Sequence, residues 1–328
     1  MFKFDFDVEE DDLDPSAADI FGAPSSQTSP RTRQSTQPPK ERGASDGPSD
    51  IDFLDAPSDL VPGVYEGGLK TWECSLDLVH CIASIHGDGL AGWLRGKRVV
   101  EVIGLRNCRP SLYLLHSIFS SGPPQGDGIE VTVHLQDYNE MVLRLVTLPN
   151  IVLAWSDLLP PFQTCPQLPH PFRPLTSSRP EHTGELAFKP ALLAAFRASL
   201  AAHHVSLSFF SGGWASFDVG AAAGPYDLVL TSETIYRPES LPSLVALLRR
   251  ATATGAALED ATRLLSLKDH DDRGKEMSAL AGAPCLCLVA AKLVYFGVGG
   301  GMNEFVRAIE AEGGAKGKVT TIWETDRG

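Results

Sequence analysis

Lys97-Arg98-Val99-Val100-Glu101-Val102-Ile103-Gly104-Leu105-Arg106-Asn107-Cys108-Arg109-Pro110 runs from a branched apolar stretch through a turn into a helix start. Val99, Val100, Val102 and Ile103 read as a strand buried on both faces, the pattern of a parallel sheet. Glu101 breaks that run late in the strand, and Gly104 follows it. Doubly wound α/β folds bind ligands outside the carboxyl ends of their strands, where the chain order switches. A carboxylate there can meet an ammonium group, while glycine lets the backbone approach the ligand. A strand–glycine–helix turn is also an ordinary connection, because glycine is the default turn residue.

Outward from this turn, strand and helix periods alternate. Helices are predicted over 74–85 and 111–119, and a second strand over 130–135. A short helix over 141–147 and a third strand over 150–154 follow. Then come a helix over 190–202, an alternating strand over 205–210 and a fourth buried strand over 226–230. A helix over 241–250, a long fifth strand over 286–296, a helix over 303–312 and a last strand over 318–323 complete the series. Such alternation predicts a doubly wound, Rossmann-like α/β fold with helices on both faces of a parallel sheet. Residues 157–185, with seven prolines, and the polar residues 252–283 read as inserted loops.

The 328 residues suffice for a sizeable core. Residues 1–60 hold 14 acidic and 5 basic side chains, so most of the net charge of −13 sits at that end. Residues 15–62 are rich in Pro, Ser, Thr, Gln and Asp and bury too little apolar surface to offset chain entropy. The expected organisation is a disordered acidic tail over 1–62 and one domain over 63–328. Phe2, Phe4 and Phe6 alternate with polar residues, as a docking strand or a frayed end would.

Acidity disfavours non-specific binding to nucleic acid and fits a basic protein partner. The six cysteines form no C-x-x-C pair, and no histidine cluster has metal-ligand spacing, so no metal is expected. They read as small buried thiols of a reducing compartment. The first residues are too charged for a signal peptide. The apolar stretch 284–298 is interrupted by Lys292 and too short to span a bilayer. A soluble, intracellular monomer is expected.

Three further strand ends carry polar chemistry. Asp137 closes the second strand, where an acid accepts hydrogen bonds from both ribose hydroxyls or caps the next helix. Gly213-Trp214 follows the 205–210 strand, so the indole can stack on an adenine or fill the core. After Leu228-Val229-Leu230 comes the cluster Thr231-Ser232-Glu233-Thr234-Ile235-Tyr236, suited to the rim of an active site.

Longer motifs extend these observations. They are Lys70-Thr71-Trp72-Glu73-Cys74-Ser75-Leu76-Asp77-Leu78, Ser111-Leu112-Tyr113-Leu114-Leu115, Gln136-Asp137-Tyr138-Asn139, Val142 through Asn150, Phe210-Ser211-Gly212-Gly213-Trp214, Leu230 through Tyr236, and Tyr295 through Gly301. Together they resemble the protein-histidine methyltransferases from about residue 64 onward. Lys-Thr-Trp-Glu alone also occurs in related protein-lysine methyltransferases.

The resemblance implies a seven-strand methyltransferase sheet that uses S-adenosylmethionine. It implies methylation of a histidine ring nitrogen on a large-subunit ribosomal protein of universal family three, in cytoplasm and nucleus. Carried over by motif, the cofactor residues are Trp72, Glu73, Glu101, Gly104, Asp137, Asn139, Gly213, Trp214, Thr231 and Ser232. Glu233 and Tyr236 are the candidates for holding the substrate ring.

The sequence departs from the family twice. The turn usually reads E-x-G-x-G before Pro-Ser-Leu; here it has one residue more and one glycine fewer, and it brings Arg106 and Arg109 towards a sulfonium. The resemblance also leads to the expectation that the family's final antiparallel strand, which would follow Trp323, is missing. Two rival readings stay open: a lysine target, or an impaired methyltransferase fold that only binds ribosomal proteins.

Overall fold

The computed structural model describes residues 74–103, 108–126, 128–159, 188–252, 280–292, 301–311, 319 and 321–322. The expected tail, and most of both expected insertions, lie outside these residues.

Five parallel strands form one sheet in the order β3-β2-β1-β4-β5. They are β1 (Arg98–Ile103), β2 (Val131–Asp137), β3 (Val205–Ser211), β4 (Leu228–Ser232) and β5 (Leu286–Ala290). The order reverses between β1 and β4, which opens a crevice at their carboxyl ends. The sheet is therefore Rossmann-like, with five strands among the described residues. Of the predicted strand 318–323, Val319, Thr321 and Ile322 are described, and none of them is in a strand.

Helices cover both faces. One face carries α1 (Cys74–His86), α2 (Leu90–Trp93), α3 (Arg109–Ser120), α5 (Leu148–Ser156) and α6 (Pro190–Ala202). Their apolar residues recur at helical spacing, as in Leu78, Ile82 and Ile85 of α1, and pack on Ile103, Leu135 and Leu230 of the sheet. The other face carries α7 (Leu241–Ala251) and α8 (Met302–Ala311). There Leu244, Val245 and Leu248 cover Val100, Val102 and Val229, and Phe305 joins the same cluster.

The predicted strand over 150–154 is a correction. Those residues belong to α5, which continues from the single turn α4 (Glu140–Val142) and a π-helical stretch, Leu143–Thr147. Ile151 and Val152 favour strands when read locally. The spacing of Leu148, Ile151, Val152 and Trp155 is helical instead, and Pro149 sits in the first turn of α5, directly after the π-helical stretch. All four side chains are buried. The third strand is the predicted 205–210 segment.

The fourth strand begins two residues later than predicted and runs on through Thr231 and Ser232. The described part of the fifth ends at Ala290, and residues 293–300 lie outside the described set.

Candidate functional site

The register aligns Ser211, Asp137, Ile103, Ser232 and Ala290 in one row across the carboxyl ends of all five strands. Side chains two residues apart on a strand share a face. Glu101 therefore points with Ile103, and Asp137 with Leu135, towards the α1/α3 side. Two carboxyl groups thus stand near the ends of neighbouring strands, on one side of the sheet.

Both are deeply buried: Glu101 is 2% exposed and Asp137 5%. Glu101 Oε2 accepts a 2.8 Å hydrogen bond from the Ser111 N–H in the first turn of α3. That places the acid at a helix N-terminus, the positive end of its dipole. Burial still pushes its carboxyl up to about 7, against the hydrogen bonding from Ser111. Asp137 Oδ1 accepts from the Asn139 N–H at 2.7 Å, and burial pushes Asp137 up to about 7 as well. Both acids act on the buried Cys108 thiol, which burial first and Glu101 second raise well above its usual range. The three groups therefore lie close together.

The helix cap at this point is Asn139. Its Oδ1 accepts from Met141 N–H at 2.9 Å, at the start of α4. Asp137 is thereby relieved of capping, and its carboxylate keeps acceptor capacity beyond the single Asn139 bond.

The loop after β3 is fastened to the end of β2. Gly212 N–H donates to Asp137 O at 3.0 Å, and Gln136 Nε2 donates to Gly212 O at 2.6 Å. Gly212 has φ +115°, a conformation that a side chain would strain. This holds Gly213 and Trp214 beside the carboxyl end of β2. The half-buried indole rests on the α7-side cluster, and Arg250 Nη2 donates to Trp214 O at 3.1 Å.

Thr231 and Thr234 are buried. Thr231 Oγ1 donates to Val102 O at 2.9 Å, so the hydroxyl of Thr234 donates to Thr231 in turn, also at 2.9 Å. The Thr231 hydroxyl is thus spent on tying β4 to β1. Ser232 ends β4 in the row with Ile103 and Ala290.

Glu233 is wholly buried in a left-handed conformation, φ +57°. Its N–H donates to Ala290 O at 2.9 Å, and burial first and Glu233 second raise the Cys74 thiol at the start of α1. Glu233 lies away from solvent. Tyr236 is half-buried against the α7-side cluster, with the Arg237 guanidinium 5.9 Å from its ring centre. Of the two predicted ring-holding residues, Tyr236 has the exposed edge.

Arg109 is half-buried, with its Nε enclosed and without a hydrogen-bond partner. Trp72, Glu73 and Gly104 lie outside the described residues. Among the described residues, no group of three or more His, Cys, Asp or Glu side chains could hold a metal, and no helix is long and apolar enough to cross a membrane.

The sequence reading missed one contributor. Gln136 braces the Gly212 loop, and its place within Gln-Asp-Tyr-Asn was the available signal.

No family model matches the chain. Among curated proteins, histidine protein methyltransferase 1 of Saccharomyces cerevisiae is 31% identical over 264 residues, covering 78% of this chain and 60% of that protein. Histidine protein methyltransferase 1 of Schizosaccharomyces pombe is 31% identical over 260 residues, with the same two coverages of 78% and 60%. A rat homologue of that name is 30% identical over 260 residues, covering 78% of this chain and 53% of its own length. The chain is similar to these proteins over more than three quarters of its own length, and it spans about 60% or less of theirs. The shared name fits the paired acids at the carboxyl ends of β1 and β2.

Proposed function

We propose that this chain transfers a methyl group from S-adenosylmethionine to a ring nitrogen of a histidine in a large-subunit ribosomal protein. The observation that carries the reading is the pair Glu101 and Asp137, buried at adjacent strand ends in a chain whose relatives are named for histidine methylation. The two acids fit the cofactor. An isolated buried carboxylate is costly without partners. An ammonium group beside Glu101 and ribose hydroxyls beside Asp137 would supply them. Gly213 and Trp214 bound the adenine side, while Asn139 fixes the backbone after Asp137.

Bound S-adenosylmethionine supplies an electrophilic methyl group on a sulfonium. The chain's own residues have the lighter task of orienting the acceptor. A histidine ring has an ordinary pKa of about 6.5, so near neutrality most of it is already uncharged and needs no strong base. Tyr236, at the solvent edge of the β4–α7 loop, is placed to hold the ring. Alignment supplies most of the rate in this reading, as good positioning does in general. Under it the protein works as a monomer in cytoplasm and nucleus, without nucleic acid or membrane.

The test is methylation of a purified large-subunit ribosomal protein fraction with labelled S-adenosylmethionine, followed by peptide mass spectrometry. Label on a histidine is the expected result. Label on lysine overturns the histidine assignment, and cofactor binding without transfer overturns the enzyme reading.

A further inference from the structure

Arg109 is a cation without an anion. It is the first residue of α3 and half-buried, and its enclosed Nε has no hydrogen-bond partner. Among the described residues, Lys97 pairs with Asp227 and Arg144 with Glu140, and no carboxylate pairs with Arg109. Enclosing part of a guanidinium without a partner is unfavourable, and arginine cannot shed its proton to escape.

The first turn of α3 fixes the place of this cation. Leu112 N–H donates to Cys108 O at 2.7 Å, which closes the turn around Arg109. Pro110 follows Arg109 and is buried, so its ring stiffens the backbone there. The next residue, Ser111, holds Glu101 Oε2 by its N–H at 2.8 Å. One helix turn thus carries Arg109 and grips Glu101, at the carboxyl end of β1 and beside the reversal of strand order. The Cys108 side chain, buried at the start of this turn, gives the helix no capping hydrogen bond.

An acid and an unpaired base on one turn suit a zwitterion, an amino-acid end whose ammonium and carboxylate stand on the same carbon. Glu101 takes the ammonium in the reading above, and the carboxylate beside it then needs a cation. A guanidinium meets a carboxylate through two parallel N–H···O bonds, which are strong because both groups are charged. The positive end of the α3 dipole favours the same anion.

We infer that Arg109 binds the carboxylate of the cofactor's amino-acid end, so that Arg109 and Glu101 grip that end together at the start of α3. This rests on the methyltransferase reading above. It gives the arginine that follows the unusual turn a partner, since its charge meets the carboxylate and not the sulfonium.

The test is calorimetry on the full chain with two ligands, and it needs no turnover. S-adenosylhomocysteine carries both the ammonium and the carboxylate; its decarboxylated analogue keeps only the ammonium. The parent is expected to bind the first at least tenfold more tightly, a difference of about 1.4 kcal/mol. In Arg109→Met, which keeps an apolar stem and loses the charge, the two ligands are expected to bind within about threefold of each other, or about 0.7 kcal/mol. Arg109→Lys keeps a cation without the planar fork and retains part of the preference. A parent that binds both ligands alike overturns the inference without recourse to any variant. So does a preference that survives in Arg109→Met, or an equal weakening of both ligands there, which would make Arg109 a support of the fold alone. A parent that binds neither ligand overturns the cofactor reading and the inference with it. One that prefers S-adenosylhomocysteine yet transfers no methyl group overturns the enzyme reading and leaves the inference standing.

Discussion

Glu101 and Asp137 are acids whose burial in the sheet raises them to about 7, so that each is about half protonated near neutrality. A ligand that meets their ionised forms must draw those protons off, so cofactor affinity is expected to climb between about pH 6 and about pH 8 and then level. Calorimetry across that range checks it, and a flat profile would show that neither acid meets the ligand. The same groups act on stability with a defined sign. The folded chain keeps protons that the unfolded chain releases near 4.5 for Glu101 and 3.8 for Asp137. Their contribution is therefore full below those values and is lost as pH rises through about 7. Under the proposed function Asp137 is the ribose partner, and Asp137→Ala is then expected to weaken cofactor binding by about 1–3 kcal/mol, the scale of lost hydrogen bonds. Unchanged affinity would assign Asp137 to the fold alone. Of the site, the acids were legible because a charge inside an apolar strand is conspicuous. The brace from Gln136 was not, because its acceptor, Gly212 O, lies 76 positions away and meets it only in the folded chain.

β2 also carries His134, facing away from the acids. Its Nδ1 lies 2.9 Å from the Tyr226 hydroxyl, and Phe210 and Tyr226 meet it edge-on. Burial first and Arg98 second lower its ring to about 4. Its stabilising contribution is full above 6.5 and drains away as pH falls towards 4. His134→Phe is therefore expected to flatten that part of the acid unfolding curve, followed by fluorescence; an unaltered curve would exclude the ring as its origin. α5 shows why one segment was misread. Ile151 and Val152 speak locally for a strand, and only the spacing to Leu148 and Trp155 reveals the helix. Trp155 packs edge-on to Phe196 at 5.3 Å, linking α5 to α6. Trp155→Ala is expected to cost about 3–5 kcal/mol in chemical denaturation; a loss under about 1 kcal/mol would show that the helix is peripheral. Ile103 and Cys108 are core residues on either side of the unusual turn. Exchange for a shorter glycine-rich turn is best confined to residues 104–107. That exchange should raise cofactor affinity at least tenfold, or about 1.4 kcal/mol, by calorimetry.

Across the described residues, the parallel sheet and the helices α1, α3, α6, α7 and α8 were legible, because buried strands and amphipathic helices write different periods into the chain; α2 went unread and α5 was read as a strand. The boundaries at β4 were less so. Thr231 and Ser232 look like loop residues, yet they continue the ladder because β1 and β5 supply partners on both sides. Those pairings span very different distances along the chain. The bond from Thr231 to Val102 closes 129 positions, whereas β1 meets β2 within a much shorter reach. Closing a long loop costs entropy that only the completed contacts return. The β1–β4 seam, beside which the proposed cofactor crevice lies, is thus among the pairings expected to form late. A ligand that recognises this crevice finds nothing to grip in a half-folded chain. S-adenosylmethionine should accordingly slow the escape from the native state while leaving the refolding rate almost untouched, making it a brake on unfolding and no guide to folding.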